Sequence, residues 1–148
     1  MPTRSARTAW DGGFKDGSGQ TELSSSGLAT FEVSFPKRAS DDGGGATNPE
    51  ELLAASHSAC YTMQLTALLE EAGGTPISIE TSADVTLGED PAGGFRITSI
   101  HLTVRGEVDG IDENGFAEAA EGAKESCPLS KALDGVDEIT LDAQLETA

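Results

Sequence analysis

Polar and apolar residues alternate first between Leu28 and Phe35, where Phe31, Val33 and Phe35 are separated by polar positions. That period of two predicts a strand, the clearest piece of a β-prone region from Arg7 to Phe35. From Pro36 to Ala46 the pattern dissolves. Two aspartates and three consecutive glycines predict a flexible loop, and it carries Lys37 and Arg38. The period then lengthens to that of a helix. Leu52, Ser56, Ala59, Cys60, Met63 and Ala67 recur at helical spacing and predict a helix from about Asn48 to Ala72, with Cys60 on its buried face. Asn48 suits the N-cap, Pro49 the first helical position and Glu51 the third of a capping box, while Gly73-Gly74 ends the run. The face around Cys60 is rich in small residues, which predicts close approach of another backbone, with a second helix as its natural partner.

Downstream, Ile77 to Leu87 and Phe95 to Val108 read as two strands of a hairpin closed by Gly-Glu-Asp-Pro-Ala-Gly-Gly. Asp112 opens an alanine-rich helix reaching about Ser126, weakened by Gly115 and Gly122. Cys127-Pro128 breaks it, because proline disfavours the α conformation in the residue before it. A short helical turn through Leu133 and a last strand from Ile139 to Leu145 complete the pattern. Strands and helices are segregated rather than strictly alternating, so the fold class is α+β. The 148 residues show no repeat or long linker and read as one domain, residues 1–148.

Composition narrows the function. A net charge of −17 argues against nucleic acid or an anionic membrane as partner, since phosphates would be repelled. It implies solubility and raises the question of salt adaptation. With 36% hydrophobic and 5% aromatic residues the core is lean, and an oligomeric interface would bury more apolar area. The N-terminal run lacks a secretory apolar segment, and no stretch approaches bilayer-spanning length. The expected compartment is the cytoplasm, where structural disulfides are uncommon.

The chemistry rests on two cysteines, Cys60 and Cys127. They are either inert core residues or a redox pair. A thiol is mostly protonated at neutral pH, and burial alone raises its pKa, so a reactive Cys60 needs a cation or hydrogen-bond donors nearby. Arg38, His57, Arg96 and Arg105 are the candidates among few basic residues, and His57 lies three positions before Cys60 on nearly the same helix face. Each has a bland reading as well. Glu50 and Glu51 are ordinary first-turn acids favoured by the helix dipole, Arg38 a solvated charge, and His57 a polar core or interface residue. A metal site from His57, Cys60, His101 and Cys127 lacks paired spacing such as Cys-x-x-Cys. No serine nucleophile elbow or phosphate-binding loop is present; Gly43-Gly44-Gly45 is not followed by Gly-Lys-Ser/Thr.

The run from Thr47-Asn48-Pro49-Glu50-Glu51-Leu52 to Ala59-Cys60, followed by Cys127-Pro128 and a final strand, strongly resembles the OsmC/Ohr family of thiol-dependent hydroperoxide reductases. The likeness extends to the Trp10 strand, to Ala83-Asp84-Val85 and to Glu138-Ile139-Thr140-Leu141-Asp142. His57 is similar to the OsmC branch; the Ohr branch usually has Gly-Tyr there. The resemblance implies an OsmC-like fold, an intertwined homodimer with two central helices wrapped by antiparallel β-sheets. It implies Cys60 as the peroxidatic cysteine, Cys127 as the resolving one, Arg38 as the active-site arginine and Glu50 as the glutamate that binds it. No cofactor or metal is implied. The partners are an organic hydroperoxide, a dithiol reductant such as a lipoyl protein or small thiol, and a second copy of the chain.

Physical chemistry supports those roles. Arg38 would lower the thiol pKa and donate to peroxide oxygens, and the small and apolar residues around Cys60 favour organic over hydrogen peroxide. Glu50 and Cys60 on one straight helix lie about 15 Å apart along its axis, which predicts that a partner subunit supplies Glu50 and Arg38. The alternatives are a redox sensor with the same thiol pair and little turnover, an apolar-ligand-binding protein, and a structural dimer.

Overall fold

The computed structural model describes residues 1–147 and divides the chain into two units, residues 1–52 and the remainder. In the first unit, β1 (Arg7–Asp11), β2 (Ser18–Glu22) and β3 (Thr30–Val33) form an antiparallel meander in the order β1-β2-β3. Its pairs include Trp10 opposite Gly19 and Gly19 opposite Val33. The segment after β3 is not the loop its composition predicts. Phe35–Arg38 forms a one-turn helix, α1, and Gly43–Gly45 a 3₁₀ turn. Ser34 caps α1 by accepting a hydrogen bond from the Lys37 N–H, and Pro36 brings a backbone already set for a first helical turn. Asp42 caps the 3₁₀ turn through the Gly44 N–H, and this bond holds its carboxyl below the usual range.

Helix α2 (Pro49–Glu71) starts in the first unit and continues into the second. Asn48 caps it as its sequence predicts, accepting from the Glu51 N–H at 2.8 Å. The reciprocal half of the capping box differs: the Glu51 carboxylate accepts from the Thr47 hydroxyl at 2.7 Å.

In the second unit, β4 (Thr75–Glu89) and β5 (Phe95–Asp109) are a long antiparallel hairpin. Asp90 closes its turn by accepting from the Ala92 and Gly93 N–H groups, and Gly93 and Gly94 take positive φ. The chain then crosses over through α3 (Glu113–Ser126) and α4 (Pro128–Ala132) to β6 (Glu138–Glu146). Here one pairing corrects the expectation of purely antiparallel sheets: β6 runs parallel to β5, with Ile100 opposite Ile139. The physical reason is the helical crossover, which returns the chain to the same end of the sheet.

The core of this unit joins Tyr61, Leu65 and Leu69 of α2 with Leu102, Val104 and Val108 of β5 and Phe116, Ala119, Ala120 and Ala123 of α3. Gly106 makes room for this arrangement, since a Cβ there would meet the Phe116 ring at 2.8 Å. The buried face of α2 is therefore His57, Tyr61, Leu65 and Leu69, one turn apart. This corrects the face drawn from periodicity. Ser56, Ala59, Met63 and Ala67 are exposed in the single chain, Met63 at 73%, and Cys60 is half-buried at the boundary. Tyrosine and leucine bury far more apolar area than alanine and serine, so they claim the intrachain core. No helix among the described residues is long and apolar enough to cross a membrane.

Candidate active site

Cys127 sits at the junction of α3 and α4 in an extended conformation, as proline at 128 requires. Its N–H bonds to Ala123 O at 2.9 Å and its carbonyl accepts from Lys131 N at 3.0 Å, so the backbone of this residue is fixed on both sides. Its side chain is completely buried. There it meets Cys60 of α2: the two sulfurs are 3.0 Å apart, and both cysteines are free thiols.

Burial is the main influence on the Cys60 thiol and pushes its pKa up, and the hydrogen bond with Cys127 adds to the rise. The Leu129 backbone N–H works the other way by donating to the sulfur. Among the described residues, none of the groups acting on Cys60 is a cation. A thiol so placed stays protonated near neutral pH unless a positive charge is brought to it.

His57 is buried one turn before Cys60. Its Nε2 lies 2.8 Å from the Ser130 Oγ, and burial holds its imidazole below the ordinary value near 6.5. Its nearest hydrogen-bonding neighbour is thus a hydroxyl rather than a cysteine. His101, the other histidine, bonds to Thr140 across the β5–β6 pair instead. Among the described residues no cluster of three or more metal-ligand types occurs.

Arg38 and Glu50 meet in the first unit. Arg38 Nε lies 3.2 and 3.1 Å from the two carboxylate oxygens and Nη2 2.6 Å from Oε1. Glu50 is the more buried, with its side chain 12% exposed against 35% for Arg38. This fork fixes the guanidinium plane and leaves Nη1 with no hydrogen-bond partner among the described residues. Arg38 lines a cavity of about 440 Å³ whose other walls include Trp10, Phe14, Val33, Phe35 and Leu52. The rings of Phe14 and Phe35 are 4.1 Å apart between centroids.

The sequence missed two features here. Three of the chain's seven aromatic residues other than histidine, Trp10, Phe14 and Phe35, line this cavity, and their clustering in the first 35 residues is its one signal in the sequence. Ser130 carried no signal, because a serine in a short turn after proline reads as solvent-facing.

A protein-family model described as OsmC-like protein matches residues 41–142. The chain is 44% identical to Peroxiredoxin OsmC of Escherichia coli over 138 residues, covering 93% of each chain. It is 33% identical to organic hydroperoxide resistance protein OhrB of Bacillus subtilis over 124 residues, 83% of this chain and 85% of that one. The crystal structure of OhrB from Bacillus subtilis superimposes with a TM-score of 0.67 at 28% identity, covering 96% of this chain and 98% of that one. The chain belongs to the OsmC-like family, and its α+β architecture is the OsmC-like fold.

Proposed function

We propose that the protein is a two-cysteine peroxidase that reduces organic hydroperoxides to alcohols. The observation that carries this reading is the pair of free thiols 3.0 Å apart, reached from elements 67 residues apart in sequence. The names of its relatives, a peroxiredoxin and an organic hydroperoxide resistance protein, support the same activity.

In the proposed reaction the Cys60 thiolate attacks one peroxide oxygen. An S–O bond forms, the O–O bond breaks, and the alkoxide leaves and is protonated to the alcohol. Arg38 favours the thiolate and stabilises the departing oxygen, and Glu50 holds the guanidinium in place. The Cys127 thiol then attacks the Cys60 sulfenic acid. The S–S bond forms and the hydroxyl leaves as water with the Cys127 proton, which protects Cys60 from over-oxidation. An external dithiol, a lipoyl protein or a small thiol, reopens the disulfide by exchange. The apolar cavity beside Arg38 suits the organic part of the substrate.

We further infer a homodimer. Glu50 and Cys60 are ten residues apart on α2, about 15 Å along the axis of a straight helix. The missing cation at Cys60 is therefore the Arg38 of a partner subunit. The dimer seats the exposed small residues of α2 against another α2, and residues 1–148 act as one domain in the cytoplasm.

Turnover of cumene hydroperoxide and hydrogen peroxide with several dithiols tests the activity, with Cys60→Ser and Cys127→Ser as controls. We expect preference for the organic peroxide, no turnover in Cys60→Ser, and over-oxidation of Cys60 in Cys127→Ser. Full activity in Cys60→Ser defeats the mechanism. The raised Cys60 pKa favours one second reading, a slow redox sensor; a single oxidation without steady-state turnover would establish it.

A further inference from the structure

The cysteine segments touch twice. Cys60 and Cys127 lie 3.0 Å apart, and one turn away on each segment His57 and Ser130 meet at 2.8 Å. His57 comes three residues before Cys60 on α2, and Ser130 three residues after Cys127 in α4. Both are buried, His57 at 0% and Ser130 at 6% exposure. The imidazole Nδ1 is buried without a hydrogen-bond partner among the described residues, so the ring's one side-chain bond is to Ser130. A buried polar pair is expensive where apolar side chains would fill the space, as they do through most of this core. Its position indicates what it does.

Helix α4 is only five residues long, and no side chain caps its start. Three hydrogen bonds join this part of the chain to α2: the thiol–thiol contact and the Leu129 N–H, both at the Cys60 sulfur, and the His57–Ser130 bond. Oxidation of Cys60 to a sulfenic acid alters the acceptor of the first two. The third involves no redox-active group and is untouched by the oxidation. We propose that the His57–Ser130 hydrogen bond is a clasp that keeps Cys127 against Cys60 during oxidation, making the two residues a positioning pair for disulfide formation.

The inference rests on the two-cysteine reading above. In the step it serves, the Cys127 sulfur attacks the Cys60 sulfenic sulfur. The S–S bond forms, the S–O bond breaks, and water leaves carrying the Cys127 proton. His57 and Ser130 exchange no electrons. They hold the reacting sulfurs close, which raises the effective concentration of one toward the other. The same proximity favours the closed disulfide over two separate thiols at equilibrium.

Three full-length variants test this. Ser130→Ala removes the hydroxyl, His57→Phe/Ser130→Ala removes both polar groups but keeps the ring volume, and Ser130→Thr keeps the hydroxyl. The first readout is the fraction of Cys60–Cys127 disulfide across glutathione buffers, measured by mass spectrometry. The second follows one equivalent of cumene hydroperoxide, comparing the rate of peroxide loss with capture of the sulfenic acid by dimedone. For Ser130→Ala and the double variant we expect peroxide loss within about twofold of wild type and about tenfold more dimedone capture. The disulfide equilibrium should move about tenfold toward the dithiol, roughly 30 mV. Ser130→Thr should recover both properties.

A folded double variant that closes its disulfide like wild type overturns the clasp. So does a parallel fall in peroxide loss and disulfide formation, which marks a merely structural role. The glutathione arm needs no peroxide. Wild type that forms the disulfide there but consumes no hydroperoxide defeats the peroxidase reading and leaves the clasp standing.

Discussion

Glu50→Gln isolates the part of the proposed site that acts through Arg38 alone. Glu50 offers two acceptor oxygens to three short approaches from Nε and Nη2. Glutamine keeps the shape but offers one oxygen, and its NH₂ turns a donor toward the donors of Arg38. The fork opens and the carboxylate's charge is lost, which leaves the guanidinium uncompensated. A hydrogen bond to a charged group contributes about 1.5–3 kcal/mol, and the partial exposure of Arg38 places this pair at the lower end. A loss of about 1.5 kcal/mol corresponds to a fall in melting temperature of about 3–6 °C, readable by circular dichroism. The effect on catalysis should be larger, because displacement of a positioning group by about 1 Å costs up to about 10²-fold. We expect kcat/KM for cumene hydroperoxide to fall about 10- to 100-fold, or about 1.4–2.7 kcal/mol in the barrier. If Glu50 acts only through the guanidinium, Arg38→Ala/Glu50→Gln should be no worse than Arg38→Ala. Wild-type kcat/KM in Glu50→Gln refutes the reasoning, as does a double variant whose loss equals the product of the single losses.

Two further predictions concern the assembled protein and its pH dependence. Mixing Cys60→Ser with Arg38→Ala subunits should yield heterodimers with about one working site, measured as recovery of cumene hydroperoxide turnover from two inactive parents; no recovery after verified subunit exchange contradicts the shared site. His57 is held below its ordinary value near 6.5, so its contribution to stability is complete above that pH and is lost as pH falls through the folded-state value. Melting temperature should drop on acidification below about pH 6.5, less steeply in His57→Phe, and equal slopes in the two proteins would exclude His57 as the cause.

The ends of elements were easier to read than their faces. Asn48, Pro49 and Gly73-Gly74 mark α2 because capping and termination depend on local backbone chemistry. The hairpin was legible for the same reason, through Asp90, Gly93 and Gly94. Proline misled at position 36, since it suits both a loop and a first helical turn; the capping hydroxyl of Ser34 decides between them. The parallel pairing of β6 depends on where a crossover returns the chain, which no local pattern records. The proximity of Cys60 and Cys127 and the bond between His57 and Ser130 are long-range facts of the same kind. Residue types nominated the cysteines, and only the family resemblance paired them.

The misread face of α2 is itself informative. The helix carries large residues on one side, His57, Tyr61, Leu65 and Leu69, and mostly small ones on another, where Ala55, Ser56, Ala59 and Ala67 are joined by Met63. The large side is spent on the core of its own chain. The small side is exposed in the single chain, and it permits two backbones to approach closely. In the proposed dimer, two antiparallel α2 helices related by a twofold axis near residue 55 place residue 50 of each opposite residue 60 of the other. Ala55, Ser56 and Ala59, all exposed in one chain, surround that axis, where the helices come nearest. The ten-residue offset that separates Glu50 from Cys60 along one helix would thus bring them to the same level along two. A bulky substitution at Ala55 or Ala59 therefore strikes the assembly and the thiol chemistry together, whereas one at Met63 lies about 12 Å from the axis along the helix.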